Sequence, residues 1–383
     1  MKNLVFVLSF LVLSTPAFAV TPLNPEELRQ TVNNGVSWMN NAQEASGHFR
    51  YEYAPFWDRY IDDDNIVRQT GAFYLLGEIA IRDKAKRFDL KSTMEKAVSY
   101  FEENSKTGKF NDENFRCVLK TANKCTLGGT SLALIGLLDM VKAYPATLNK
   151  NENLIEEYKN YILAMRVSGK GFRDSFYFDR EQSLSESSFS NGEAFLALVR
   201  YYQYNAKVEI KTMIEESFVY FDKIYRGKWD SNFYLWGMAA LKDWYVLFPK
   251  EEYYTFTKDY TDWRIDKQQK SRGTSHNKCA YIEGVISAYS VLEKKASDKE
   301  REKYLEEIDF WLLKSRDLQI KKSDTIKIGF NQGKLRVVKM ENSARAVGGF
   351  LTGYDEPFQR IDFTQHCVSG YLQKLVDIDR KSL

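Results

Sequence analysis

The sequence predicts an all-α protein, an α/α toroid in which about six helical hairpins close into a ring. Three observations predict it. Long segments alternate between amphipathic and largely apolar ones, as in Leu90–Asn104 followed by Leu127–Ala143. The apolar segments carry small residues among large ones, as in the stretch YIDDDNIVRQTGAFYLLGEI with Gly71, Ala72 and Gly77. Glycine lowers helix stability by about 1 kcal/mol against alanine, so its repeated use points to close helix–helix approach. A Gly-x-aromatic turn ends most amphipathic segments, for instance Gly47-His48-Phe49 and Gly227-Lys228-Trp229. Helices that are apolar all round are buried, and amphipathic ones bury a single stripe. The apolar set therefore forms an inner barrel and the amphipathic set an outer one. An open superhelix would leave its ends uncovered, and these repeats run to roughly sixty residues, well beyond the tetratricopeptide period.

Each element follows from its own residues. The first outer helix opens at Pro25-Glu26-Glu27-Leu28 and extends toward Ala45, with Leu28, Val32, Val36 and Met39 at helical spacing. The first inner helix is expected over Asp62–Ile81: Asp62, Asp63 and Asp64 suit a helix N-terminus, and Asp64 shares a face with Arg68. Leu90–Asn104 is the next outer helix, with its turn at Thr107-Gly108-Lys109-Phe110. A loop carrying Cys117 and Cys125 leads to the inner helix Leu127–Ala143. The alternation continues through Asn153–Val167 and Ser190–Tyr204, Glu209–Tyr225 and Asn232–Phe248, Glu251–Gln269 and Cys279–Lys294. Asp298–Leu318 is the last outer helix. A small β-hairpin is expected near 325–339, around Asn331-Gln332-Gly333. The last inner element is expected in two pieces, Ser343–Phe350 and Asp362–Ile378.

The N-terminus is read separately. Residues 1–19 have a lysine, an apolar run from Leu4 to Leu13 and the small-residue site Ala17-Phe18-Ala19, which describes a secretory signal peptide. The run is too short to cross a membrane, and no comparable run follows, so the mature chain is expected to be exported without an integral membrane segment. Residues 20–383 are expected to form one domain. The 55 basic and 52 acidic side chains are interspersed, which argues against nucleic acid as a partner. Aromatic residues make up 15% of the chain, 24 of them tyrosines, a mix that suits a large core and a groove for sugars or other polar ligands. In an oxidising compartment the four cysteines allow two disulfides. Cys117 and Cys125 bracket a short lysine-rich segment, and Cys279 and Cys367 fall at the starts of the last two inner helices.

The succession of outer helix, Gly-x-Phe/Trp turn and glycine-bearing inner helix resembles the six-hairpin (α/α)6 toroids. The stretches DDDNIVRQTGAFYLLGE, FSNGEAFLALVRYY and RIDFTQHCVSGYL look motif-like within it. That superfamily includes many glycoside hydrolases, the alginate-type lyases, the sugar 2-epimerases, the terpene cyclases and the lanthionine cyclases. The resemblance spans nearly the whole mature chain and is architectural. It implies that the turns and the N-termini of the inner helices share one end of the ring, where a site would lie.

That end gathers the polar residues at the mouths of apolar helices. The candidate acids and bases are Asp64, Glu193, Glu283, Asp362 and His366; the candidate substrate-binding residues are Asn65, Arg68, Gln69, Trp236, His276, Arg345 and Gln365. Structural roles compete with these. The acids at 62–64 also read as helix caps, and Glu193 stands at the capping-box position three residues after Ser190. Glu283 lies in an apolar helix start with no lysine or arginine at the next turn, which makes it a candidate buried acid with a raised pKa. Asp362 and His366 are one turn apart and read either as an oriented acid–base pair or as a helix-mouth hydrogen bond. Arg345, among the small residues of SARAVGG, suits an anion or carboxylate.

The expected function is an exported carbohydrate-active enzyme that acts on a poly- or oligosaccharide by acid/base chemistry and needs no cofactor. Hydrolysis stands ahead of lyase or epimerase chemistry on family frequency. Two carboxylates across a groove would supply acid and base, Arg68 and Arg345 would hold a uronate or phosphate, and His366 could instead abstract a proton from carbon. One alternative is a zinc enzyme resembling the lanthionine cyclases, with His276, Cys279, His366 and Cys367 as ligands. The Trp-Cys-x-Gly and Cys-His-Gly motifs of that family are absent. Another alternative is a non-catalytic glycan or peptide binder. Asp62-Asp63-Asp64-Asn65 departs from the Asp-x-Asp-Asp pattern of terpene cyclases.

Overall fold

A computed structural model of the chain describes residues 21–110, 112–270, 272–273, 276–330 and 334–383. The signal-peptide segment and the Asn331–Gly333 turn lie outside the described residues. The inner barrel consists of α2 (Ile66–Arg82), α4 (Leu127–Ala143), α6 (Ser188–Tyr204), α8 (Ser231–Leu247), α10 (Cys279–Leu292) and α13 (Ile361–Gln373). Each packs on the next, and α13 returns to α2 and closes the ring. The outer barrel is α1 (Pro25–Ala42), α3 (Lys91–Glu103), α5 (Leu148–Met165), α7 (Val208–Tyr225), α9 (Glu251–Gln269) and α11 (Asp298–Arg316). This is the (α/α)6 toroid the alternation predicts.

The two sets differ in how they bury themselves. In α4 every residue from Leu127 to Val141 is buried, whereas α3 buries only Met94, Ala97, Val98 and Phe101. Two outer helices, α1 and α11, start on strong local signals. Asn24 and Glu27 form a capping box at α1, with Pro25 in the first turn, and Ser297 and Glu300 form one at α11. Small residues bring the inner helices together: a Cβ on Gly77 of α2 would lie 2.8 Å from the Asp139 side chain of α4. At the hairpin turns Gly47, Gly169, Gly227 and Gly348 have φ of 92°, 69°, 77° and 98°, the left-handed region that side chains disfavour.

Three segments depart from expectation. The acids at 62–64 do not open the helix. They follow strand β2 (Arg59–Ile61), and Asn65 caps α2 by accepting the Val67 N–H at 3.1 Å. Asp63 and Asp64 each accept the N–H of the following residue, at 2.8 and 2.7 Å, which holds the segment as a turn. Gly108-Lys109-Phe110 is not a turn but the end of β3 (Ser105–Phe110), in a four-stranded sheet with β4 (Glu113–Thr121), β5 (Lys124–Thr126) and β6 (Ser175–Tyr177). Cys117 and Cys125 therefore sit on adjacent strands, where they form a disulfide. Ser343–Phe350 is not half of an inner helix. It holds the short helix α12 (Ser343–Ala346) and then the glycine turn of the sixth hairpin, because Gly348 leaves the helical region.

Two further pieces of sheet complete the chain. β1 (Glu52–Ala54) pairs with β2 and with β9 (Gln359–Arg360), tying the first hairpin to the entrance of α13. The predicted hairpin forms from β7 (Thr325–Phe330) and β8 (Lys334–Lys339). Among the described residues no helix is long and apolar enough to cross a membrane.

Candidate active site

A cleft of about 470 Å³ opens at the N-terminal ends of the inner helices, and all six contribute to its walls. A concave, partly apolar site of that size accommodates a small molecule. Arg68 enters from α2, Glu193 from α6, Trp236 from α8, and Asp362, Gln365 and His366 from α13. The strands add Lys120, Lys124 and Arg360 at the rim.

Glu193 is the least compensated buried carboxyl in the cleft. It is 4% exposed and has no hydrogen-bond partner among the described residues. Burial pushes its carboxyl up to about 7, with Arg68 acting weakly in the opposite direction. The capping role falls away because the helix starts earlier: Ser187 is the residue before α6, and Glu193 lies a full turn and a half inside. Glycine makes the space it occupies, since a Cβ on Gly128 of α4 would overlap the Glu193 carboxyl.

His366 is oriented from behind. Its Nδ1 lies 2.8 Å from Glu283 Oε2, and Ser369 Oγ holds the other oxygen of that carboxyl at 2.8 Å. Glu283 is 1% exposed, and burial raises its pKa against the opposing influence of His366. With Nδ1 engaged, Nε2 is the nitrogen available to the cleft. The Trp236 ring packs 5.9 Å from the imidazole and meets Tyr74 edge-on at 5.4 Å. Glu283 therefore stands behind the histidine rather than facing a substrate. Ser369 Oγ also contacts Glu78 Oε2 at 2.7 Å and receives a hydrogen bond from Gln373 Nε2 at 3.0 Å.

Asp362 does not pair with His366 as its spacing allows. Arg360 grips it through Nε at 3.0 Å and a terminal nitrogen at 2.6 Å, and Arg68 Nε adds a bond at 2.9 Å. Burial would raise this carboxyl, but the two guanidinium groups outweigh it and hold Asp362 below the ordinary carboxylate range. Arg68 is thereby committed to Asp362 and not to Asp64. Gln365 lines the cleft with its amide 3.3 Å from His366 Nδ1, and a Cβ on Gly71 would lie 2.9 Å from its oxygen. Asn65 reaches the wall as the cap of α2.

Besides Glu283, four expected site residues lie outside the cleft. Asp64 accepts from Gln69 Nε2 at 2.6 Å and sits 3.4 Å from His48 Nε2. Burial raises it, but the bonds from His48 and Gln69 prevail and lower its pKa. Gln69 clamps the first hairpin turn, giving its amide to Phe49 O at 2.7 Å and taking Phe49 N–H at 2.9 Å. His276 forms a β-bridge with Gly353 and borders a separate hollow beside Trp311 and Tyr354. Arg345 pairs with Asp58 at 2.6 Å on the β1–β2 turn.

Cys279 and Cys367 form a disulfide between α10 and α13, so neither sulfur is a thiolate ligand in this state. Among the described residues no three His, Cys, Asp or Glu side chains converge as a metal site. Sequence reasoning missed Arg360, Lys120 and Lys124, the last two because the lysine-rich segment reads as a loop rather than as strands on the rim. Arg360 carried a signal two residues before Asp362.

No family model and no curated protein matches the chain. Its likeness is to solved structures. A D-mannose isomerase superposes with a TM-score of 0.64 at 11% identity, covering 95% of this chain and 99% of that one. A glycoside hydrolase family 76 α-mannanase of Bacteroides thetaiotaomicron gives 0.63 at 9% identity over 93% and 99%. A sugar epimerase from a ruminal bacterium gives 0.63 at 12% identity over 92% and 99%. The fold they share with this chain is the six-hairpin (α/α)6 toroid, and the chain is a member of that architectural class.

Proposed function

We propose that the protein is an exported carbohydrate-active enzyme that transfers protons between His366 and Glu193 across the cleft. The observation that carries this reading is that one cleft is lined both by an imidazole fixed through Nδ1 and by a buried carboxyl that has no hydrogen-bond partner among the described residues. A histidine held this way presents a defined nitrogen as base. A carboxyl near pH 7 is poised to give or take a proton under ordinary conditions. Asp362 is locked by two arginines, and Glu283 and Asp64 are turned away. The open pair is thus one imidazole and one carboxyl, not the two carboxyls of most glycosidases.

This favours proton transfer at a carbon next to a sugar carbonyl, as in epimerisation or isomerisation, over glycosidic cleavage. Arg68 and Gln365 would position the sugar oxygens and Trp236 the ring face. The D-mannose isomerase and sugar epimerase among the fold neighbours support the substrate class. Hydrolysis is the second reading, supported by the mannanase neighbour and by a neutral acid, Glu193, beside an ionised Asp362. Export is supported by the N-terminal segment and by two disulfides, which persist in oxidising compartments.

The test is incubation of the mature protein with mono- and oligosaccharides in D2O, followed by NMR and reducing-end analysis. Deuterium at the carbon beside the carbonyl, with an epimer or ketose product, supports the proposal. New reducing ends without exchange select hydrolysis. Binding without product points to a glycan-binding protein.

A further inference from the structure

The cleft carries more positive charge than its own geometry uses. Arg68 and Arg360 share the single carboxylate of Asp362. Lys120 near the end of β4, exposed at the mouth, and the half-buried Lys124 at the start of β5 both line the cavity. Among the described residues neither has a carboxylate partner; the Lys124 ammonium lies over the Tyr177 ring at 5.2 Å. Asp174, the other acid on this wall, is engaged by Ser185 Oγ at 2.8 Å. Four cations therefore face two carboxylates, with Glu193 close to half-protonated near neutral pH.

Unpaired lysines on an open surface carry no message, because water solvates them and a partner adds little. These two differ in facing a cavity beside the proton-transfer pair. Their backbone is also fixed, since the Cys117–Cys125 disulfide closes the turn that carries them and β5 is paired to β6. A neutral sugar is recognised by hydrogen bonds and an aromatic face and leaves such cations uncompensated. A carboxylate, sulfate or phosphate supplies charge-assisted bonds to them.

Resting on the sugar-enzyme reading above, we propose that the substrate is an acidic sugar whose anionic group is seated against Lys120 and Lys124, with the reacting carbon between His366 and Glu193. The shared chemistry is a compact anion on a sugar: the carboxylate of a hexuronic acid, or a sulfate or phosphate ester.

Isothermal titration of the mature protein tests this with D-glucuronate, D-galacturonate, glucose 6-sulfate and glucose 6-phosphate against D-glucose and D-galactose, with inorganic sulfate and phosphate alone. At least one acidic sugar is expected to bind about tenfold or more tighter than its neutral parent, with an affinity that falls as salt rises. The carboxylate and ester arms tell which anion is taken. In the Lys120→Ala/Lys124→Ala variant that preference is expected to vanish while neutral-sugar binding stays unchanged. Equal binding of acidic and neutral sugars, or an undiminished preference in the double variant, overturns the inference and leaves the sugar reading standing. Inorganic sulfate or phosphate binding as tightly as the sugars also overturns it, since the rim would then recognise the ion alone. Failure of every sugar to bind removes both readings.

Discussion

The two ends of the inner barrel are built from the same helices but treat charge in opposite ways. At the closed end every large buried charge has a partner. Arg82 bonds Glu78 at 3.2 Å and Asp377 at 3.4 Å, and Lys242 reaches the same Asp377 at 3.4 Å. Arg200 lies between Asp139 at 3.3 Å and Asp243 at 2.5 Å. At the cleft end Glu193 is as buried as these groups and has none. Pairing is the condition for keeping a charge inside a fold. A buried titratable group left without a partner is thus the better marker of a working site, and at this end it meets a cavity.

The comparison can be broken or sharpened by mutation, beginning with the largest effect. His366→Asn and Glu193→Gln are each expected to lower turnover by about 10²–10⁴-fold on an identified substrate while the fold is kept. Full activity in either would remove the cleft end from the chemistry. Arg200→Met should do the reverse. It leaves Asp139 and Asp243 buried without their cation, at a cost of about 3–5 kcal/mol in urea denaturation, with turnover per folded molecule unchanged.

A smaller effect reads Glu193 directly through pH. Its carboxyl is raised from 4.5 to about 7, so its contribution to stability is complete below about 4.5 and is lost as pH rises through about 7. Between pH 4.5 and 8 the parent should therefore lose up to about 3 kcal/mol relative to Glu193→Gln. Denaturation curves of both proteins across that window check it, and parallel pH dependences would show that Glu193 is not held neutral. Smallest is Asn65→Ala, which removes the cap of α2 and should lower stability by about 1 kcal/mol, read as a shift in denaturation midpoint.

The ring was legible because burial leaves a periodic trace. Outer helices show one apolar stripe, inner helices none, and glycine with positive φ marks the turns at Gly47, Gly169 and Gly227. Helix limits such as Glu251–Gln269 and Leu127–Ala143 emerge as read. The site was legible in part. Glu193, Asp362, His366, Arg68, Asn65, Trp236 and Gln365 do meet in one cleft, because each stands in the first turns of an inner helix. Their pairings were hidden. Spacing along one helix offers Asp64 to Arg68 and Asp362 to His366, whereas the partners chosen come from other elements, Arg360 just outside the helix and Glu283 on the neighbouring inner helix α10. Charge that reaches the cleft from strands, as Lys120 and Lys124 do, leaves no helical period to read.

Ser369 has a consequence for the proton count of the barrel axis. A hydroxyl has one hydrogen to give, and Gln373 already donates to this one. Contacts to Glu78 and Glu283 at 2.7 and 2.8 Å leave the single hydroxyl hydrogen between two carboxyl groups, an arrangement that a proton on one of the glutamates relieves. Glu78 is tied to Arg82, and burial raises the Glu283 carboxyl, so the surroundings favour the neutral form more at Glu283. Behind His366, then, one serine hydroxyl joins two buried glutamates from different inner helices, an arrangement that favours a proton kept in the interior.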